Sequence, residues 1–198
     1  MPPPKATKSE YIETDTGNKI SRRSQIHGTQ HIILGGKTVI QAEAVIRGDL
    51  FRTSTDPANP STPTPNTPSV AINVGRYSYI SKSAILRPPS RLHRGTHSFY
   101  PLKIGDHVFV GEGAVIEAAQ LGNHVHVGKG AAVGSMAIIK DYAYVLDGAV
   151  VPPGMVVPSW CVVGGRPARI VGEVGEGYGV EGADGGLARE RYRVVGKP

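Results

Sequence analysis

The chain has 198 residues, a formal net charge of +6, one cysteine and 6% aromatic residues. That length fits one domain with tails. A single cysteine excludes an internal disulfide and suits a reducing compartment, and neither a signal peptide nor an apolar run long enough to span a membrane is read, so a cytoplasmic protein is expected. The charge is modest and no basic cluster carries interleaved aromatics, so nucleic-acid binding is not expected either.

Met1 to Lys8 reads as a flexible Pro/Lys start. A six-residue period then opens with Leu34, Ile40 and Ile46, with Thr38, Ala44 and Leu50 four residues behind each. From Phe51 to Ser69 the chain reads FRTSTDPANPSTPTPNTPS. Five prolines among Ser, Thr and Asn forbid a strand or helix, so 51–69 is an extruded loop between coils. The register resumes at Val74, Ile80 and Leu86 and breaks again at RPPSRLHRGTHSFYPLK, residues 87–103. This second insertion is basic and carries Phe99 and Tyr100, which marks it for contact with a partner.

Ile104, Val110 and Ile116 restart the period, with Val108, Ala114 and Gln120 behind them. The next step, to Leu121, is five residues, so one corner is a residue short. From there Leu121, Val127, Val133, Ile139, Val145, Val151 and Val157 run unbroken, followed at the fifth position by Val125, Ala131, Ala137, Ala143, Ala149 and Met155. Cys161 holds the fifth position after Val157, which predicts a small packed residue there. The β-helix is expected over 9–171, with a Gly-rich tail over 172–198 and a short helix over Leu187 to Val195.

A period of six is neither the 3.6 of a helix nor the alternation of a half-buried strand. It suits short strands separated by corners, with the first residue of each hexad inward, the fifth small and the corner tolerant of a bend. Stacked coils pair as parallel strands roughly 4.8 Å apart, and about five or six coils follow. The predicted fold is all-β, a single-stranded parallel β-helix. The chain resembles hexapeptide-repeat proteins, which implies a left-handed triangular prism with three hexads per turn. Val163 to Arg169, VGGRPAR, is similar to the exit segment of such proteins and supports the fold only.

Two enzyme classes use this scaffold. Ile46-Arg47-Gly48-Asp49, the insertion after Leu86 and the restart at Ile104-Gly105-Asp106 resemble the gamma-class carbonic anhydrases. The positions where that family holds its three zinc ligands carry Arg87, Glu112 and Glu117. None is a histidine and a guanidinium cannot ligate zinc, so neither a metal nor any other cofactor is expected. The register instead puts Arg87 and Glu117 in one column on adjacent coils, with Arg47 one coil earlier. The two arginines need Asp49, Glu112 or Glu117 to offset their repulsion. Two readings stay open: a charged network on a face that packs against another prism, or a solvated row of surface charges.

His107 and His124 hold the fourth position of matching hexads. As a stacked pair they suggest a metal, but histidine also tolerates the positive φ of corners, and two ligands lack a third. His126 is expected to face outward. His93 and His97, on the basic insertion, are the only candidate bases for an acyltransferase, and no carboxylate is placed to orient them.

Lys8-Ser9-Glu10-Tyr11-Ile12-Glu13-Thr14 and Gly17-Asn18-Lys19-Ile20-Ser21-Arg22 lie outside the repeat and have no generic structural explanation. With IRGDL from Ile46, RPP from Arg87, PLKIGDHVF from Pro101 and AAQLG from Ala118, they resemble the dynactin subunit 5 family over about Lys8 to Arg169. The departures are the Pro/Thr-rich insertion and the tail after Val171. The resemblance implies a non-catalytic scaffold in the pointed-end complex of dynactin, the activator of the microtubule motor dynein. The implied partners are dynactin subunit 6 (a second β-helix), dynactin subunit 4, the pointed-end actin-related protein and dynein cargo adaptors. Candidate interface residues are Arg47, Asp49, Arg87, Glu112 and Glu117 on the prism, and Arg91, Arg94, Phe99 and Tyr100 on the basic insertion. The alternative is a divergent hexapeptide-repeat acyltransferase.

Overall fold

The computed structural model describes residues 9–51, 69–93, 96–175 and 186–195. Within them the chain winds as a left-handed parallel β-helix with three faces and one short C-terminal helix. Face A runs through Lys19–Ser21, Val39–Ile40, Tyr79–Ile80, Phe109–Val110, His126–Val127, Tyr144–Val145 and Cys161–Gly165. Face B stacks Gln25–His27, Val45–Arg47, Ile85–Leu86, Val115–Ile116, Ala132–Val133 and Val150–Val151. Face C stacks Ile32–Leu34, Ile72–Val74, Leu102–Ile104, Gln120–Leu121, Ile138–Ile139 and Val156–Val157.

The aliphatics of the predicted register meet their equivalents one coil on, up to Val151 and Val157 on the last strands: Ile40 pairs with Ile80, Ile46 with Leu86 and Leu34 with Val74. The short step at Leu121 is absorbed without loss of register, since Ile104 pairs with Leu121 and Leu121 with Ile139. Small residues two positions before each inward aliphatic of face B form an unbroken buried column, Ala44, Ala84, Ala114, Ala131 and Ala149. Gln120 departs from the pattern. It is exposed, and Ala118 is buried instead, because the missing residue shifts the corner.

The prism begins earlier than the hexads suggested. Ile20 and Ile26 pair with Ile40 and Ile46, so Lys19–Ser21 and Gln25–His27 belong to a first coil. The step from Ile26 to Leu34 is eight residues because a 3-10 turn at Thr29–His31 fills that corner. Tyr11–Glu13 folds back antiparallel on Lys19–Ser21 and covers the first edge of face A. Of the N-terminal motif that had no repeat-based explanation, Tyr11–Glu13 is therefore an edge cap and Lys19–Ser21 is the first strand of the prism.

At the other end Ala168–Glu173 returns antiparallel on Cys161–Gly165 and covers the last edge of face A. Faces B and C end differently. Gly134 N donates to Val151 O at 2.9 Å, and Lys140 N donates to Val157 O at 3.0 Å. One coil later the equivalent residues are Pro152 and Pro158, which have no N–H to present.

Corners stack through side chains as well as backbone. Asp106, Asn123 and Asp141 each accept, through Oδ1, the backbone N–H of the corner before: Arg76, Asp106 and Asn123 respectively, at 2.6, 2.9 and 2.6 Å. The residue after each of these carboxylates or amides turns left-handed: His107 at φ 58°, His124 at 55° and Tyr142 at 58°. The histidine pair thus occupies corner positions, as the spacing allowed.

Candidate interaction surfaces

The charged column at the edge of face B forms local ion pairs. Arg47 makes a bidentate contact to Asp49, Nε to Oδ1 at 2.8 Å and Nη2 to Oδ2 at 2.7 Å. The guanidinium holds the Asp49 carboxyl below its usual range. One coil on, Arg87 Nη1 reaches Glu117 Oε1 at 3.2 Å. Glu112 is not part of this column: it pairs with Lys129 Nζ at 3.2 Å on the corner between faces A and B. The structure thus brings Arg47 to Asp49 and Arg87 to Glu117, and separates Glu112 from both. Beside the column, the outward residues of face B are Gln25, which is exposed, then Val45, Ile85, Val115 and Ala132, all half-buried, and Val150.

The basic insertion is ordered by a hairpin, Ser90–His93 against Thr96–Phe99, with Arg91 opposite Ser98. Ser135, lower on the prism, pins its base: Ser90 N donates to Ser135 Oγ at 3.2 Å, and that hydroxyl donates to Ser90 O at 3.1 Å. Leu92 projects with 71% of its surface exposed, Arg91 is exposed and Phe99 is half-buried, edge-on to His97. Tyr100 N donates to Pro89 O at 2.8 Å and closes the insertion. Arg94 lies outside the described residues, as does most of the Pro/Thr-rich insertion. The ends of that insertion meet at His31, whose ring stacks on Phe51 at 3.8 Å and whose Nδ1 lies 2.9 Å from Ser69 O.

A further surface feature was anticipated from the sequence only at His107 and His124. Two aromatic columns run side by side along the prism. The corner column is Tyr77, His107, His124, Tyr142 and Trp160, stacked at centroid distances of 5.3, 4.7, 4.8 and 4.2 Å. The face column is Tyr79, Phe109, His126 and Tyr144, stacked at 5.6, 4.6 and 4.3 Å. Members of the two columns alternate at i and i+2 around a small inward residue, so both project from face A. Reading the sequence at 17–18-residue steps from His107 and Phe109 finds all but Tyr77 and Tyr79, which the 87–103 insertion sets 30 residues earlier, whereas a hexad search for aliphatics passes over them.

Burial on this strip pushes the His126 imidazole down to about 4, with the Arg191 charge adding to the effect. Burial, and then the adjacent His124, lower His107. Stacked neutral rings account for both histidines, and among the described residues no three His, Cys, Asp or Glu side chains group as a metal site.

A nine-residue helix, α1 (Gly186–Val194), lies against this strip. Tyr192 meets Tyr77 edge-on at 6.4 Å, and its hydroxyl donates to Gly17 O at 2.7 Å. Arg191 sits 4.0 Å over the Phe109 ring, and Arg189 lies 5.9 Å over Tyr77. Lys19 Nζ donates to the carbonyls of Tyr192 at 3.1 Å and Val195 at 2.5 Å. Beside α1 an open groove of about 520 Å³ is lined by the rings of Tyr79, Phe109 and His126 and by charges of both signs, Lys82, Lys129 and Arg191 with Glu112 and Asp147.

Comparison with known proteins fits this architecture. Among solved structures, a hexapeptide transferase family protein from Anaplasma phagocytophilum superposes with a TM-score of 0.59 at 20% identity, covering 90% of this chain and 92% of that one. The acetyltransferase domain of PglB from Neisseria gonorrhoeae superposes with a TM-score of 0.57 at 14% identity, covering 79% and 58%. At such identities the likeness is one of fold. In sequence, dynactin subunit 5 from Dictyostelium discoideum is 40% identical over 116 residues, 59% of this chain and about half (49%) of that protein's length. The family model of dynactin subunit 5 matches residues 5–56 and 67–181, which takes in the N-terminal cap, every coil and the returning strand but stops before α1. The chain belongs to the dynactin subunit 5 family.

Proposed function

We propose that the chain is a non-catalytic scaffold of the dynactin pointed-end complex, which caps the actin-like filament and helps recruit cargo adaptors for dynein-driven transport. The family match carries this reading. The Arg87–Glu117 pair supports its non-catalytic part, since it occupies two of the positions where gamma-class enzymes hold zinc ligands. The expected partners are dynactin subunit 6, dynactin subunit 4, the pointed-end actin-related protein and the adaptors, in the cytoplasm and on the cytoskeleton.

Physical differences between the faces favour one wall for the lateral partner. Face A carries α1. Face C presents polar Asn73, Lys103 and Gln120 among its outward residues. Beyond the polar Gln25 of its first coil, face B presents Val45, Ile85, Val115, Ala132 and Val150 in one continuous stripe, edged by the Arg47–Asp49 and Arg87–Glu117 pairs. A flat apolar stripe with a charged rim is the composition of a protein interface, and a second prism has the same rise per coil and the same flatness. The hairpin bearing Arg91, Arg94, Phe99 and Tyr100 supplies a second contact patch.

Affinity purification from native cytosol tests the reading: actin-like filament subunits and a second β-helix protein should co-purify, and Ile85→Glu should release the latter. Saturable binding of acetyl-CoA by the purified chain, without those partners, would favour the acyltransferase alternative.

A further inference from the structure

We propose that the aromatic strip of face A is a helix-docking surface, that α1 occupies it in cis as a displaceable cover, and that a longer partner helix bearing Arg and Tyr can take its place. What sits on the strip indicates what it accepts. α1 presents a guanidinium to the Phe109 ring and a tyrosine to the Tyr77 edge, so the surface selects cations and aromatics rather than aliphatic side chains.

Most of the described contacts of α1 are polar or ring contacts at its surface: the Tyr192 hydroxyl to Gly17 and Glu13, the Tyr192 ring against Tyr77 and under the Lys19 ammonium, the Lys19 bonds to two carbonyls, and two arginines over rings. Val195 is the buried aliphatic at its end, whereas the neighbouring Val194 is 73% exposed. A nine-residue helix is below the length that is stable alone, so its order depends on those contacts. It also lies beyond the residues that match the family.

The strip is longer than its cover. α1 spans about 13 Å. The corner column alone has five rungs, close to 20 Å at about 4.8 Å each. Tyr142 and Trp160 continue the surface past the rings that α1 touches, and Trp160 is 41% exposed. A helix of some 13 residues or more, carrying the same groups, would engage both halves and outcompete α1.

A synthetic peptide of residues 184–198, fluorescein-labelled, tests this against the full-length chain by fluorescence anisotropy. The peptide should bind saturably to the wild type and at least tenfold more tightly to Tyr192→Ala, whose own helix is loosened while the strip is intact. Replacing Arg191 with Glu in the peptide should abolish binding. Hydrogen exchange on the full-length wild type should show α1 amides exchanging well ahead of the coil strands. No binding to either protein, equal affinity for both, binding retained by the Glu-substituted peptide, or α1 amides protected as long as the coils would each overturn the proposal.

Discussion

Lys19 bonds the carbonyls of Tyr192 and Val195 across more than 170 residues of sequence, tying the first coil of the prism to the last helix of the chain. An ammonium at a helix C-terminus satisfies carbonyls that have no partner within the helix and favours the negative end of its dipole. Lys19→Ala should therefore loosen α1 by about 1.5–3 kcal/mol, the range for hydrogen bonds to a charged group. The loss should be local: α1 amides exchange faster, while the thermal midpoint of the prism stays where it was.

The Arg87–Glu117 pair should contribute little to folding. The side chains are 46% and 30% exposed, so solvent screening leaves about 0–1 kcal/mol. Arg87→Glu should shift the urea midpoint only slightly but weaken co-purification of the second β-helix protein. Adding Glu117→Arg should restore the capture in part. Unchanged capture by Arg87→Glu would show that the column is solvated.

Two corner glycines should respond oppositely to alanine. A Cβ at Gly122 would stand 2.7 Å from the Asp141 backbone nitrogen on the next coil, where the backbone cannot yield. Gly113 has φ +66° but open space around it, so alanine there meets only the left-handed penalty of about 1–2 kcal/mol. Gly122→Ala should cost clearly more than Gly113→Ala in chemical denaturation.

Acid should weaken the prism through His126. Its folded pKa lies near 4, below the ordinary 6.5 of an unfolded chain, so the folded state favours the neutral ring. The contribution is complete above pH 6.5 and is lost as pH falls toward 4. The upper bound is about 3 kcal/mol. His126→Phe keeps the stack and cannot take a proton, so its stability should fall less between pH 7 and pH 4.5 than that of the wild type, measured by urea unfolding.

Sequence alone made the coils legible because each inward position demands an aliphatic, and that demand repeats. It also found the His107 and His124 corners, because their offset within the hexad was visible. The expected bounds of 9–171 take in the first coil, but its hexads escaped because the Thr29–His31 turn stretches one step to eight residues and breaks the count. The partner of Glu112 escaped because a column assignment fixes which side chains are neighbours along an edge, while the choice between Arg87 and Lys129 depends on which corner the side chain leaves from. The aromatic columns escaped because they repeat once per turn of three hexads and not once per hexad, and the 87–103 insertion stretches their first step to 30 residues.

A repeat that stacks on itself carries no instruction to stop, and in principle every new coil templates another. Pro152 and Pro158 act as chain terminators for that growth: they are two nitrogens without hydrogens, set where the next layer would have to find its donors. End-to-end growth through that pole would therefore lose one of the two backbone donors that each of faces B and C uses between coils. The rod keeps a defined length and two unlike poles, so any larger assembly that includes it meets a part of fixed size and direction.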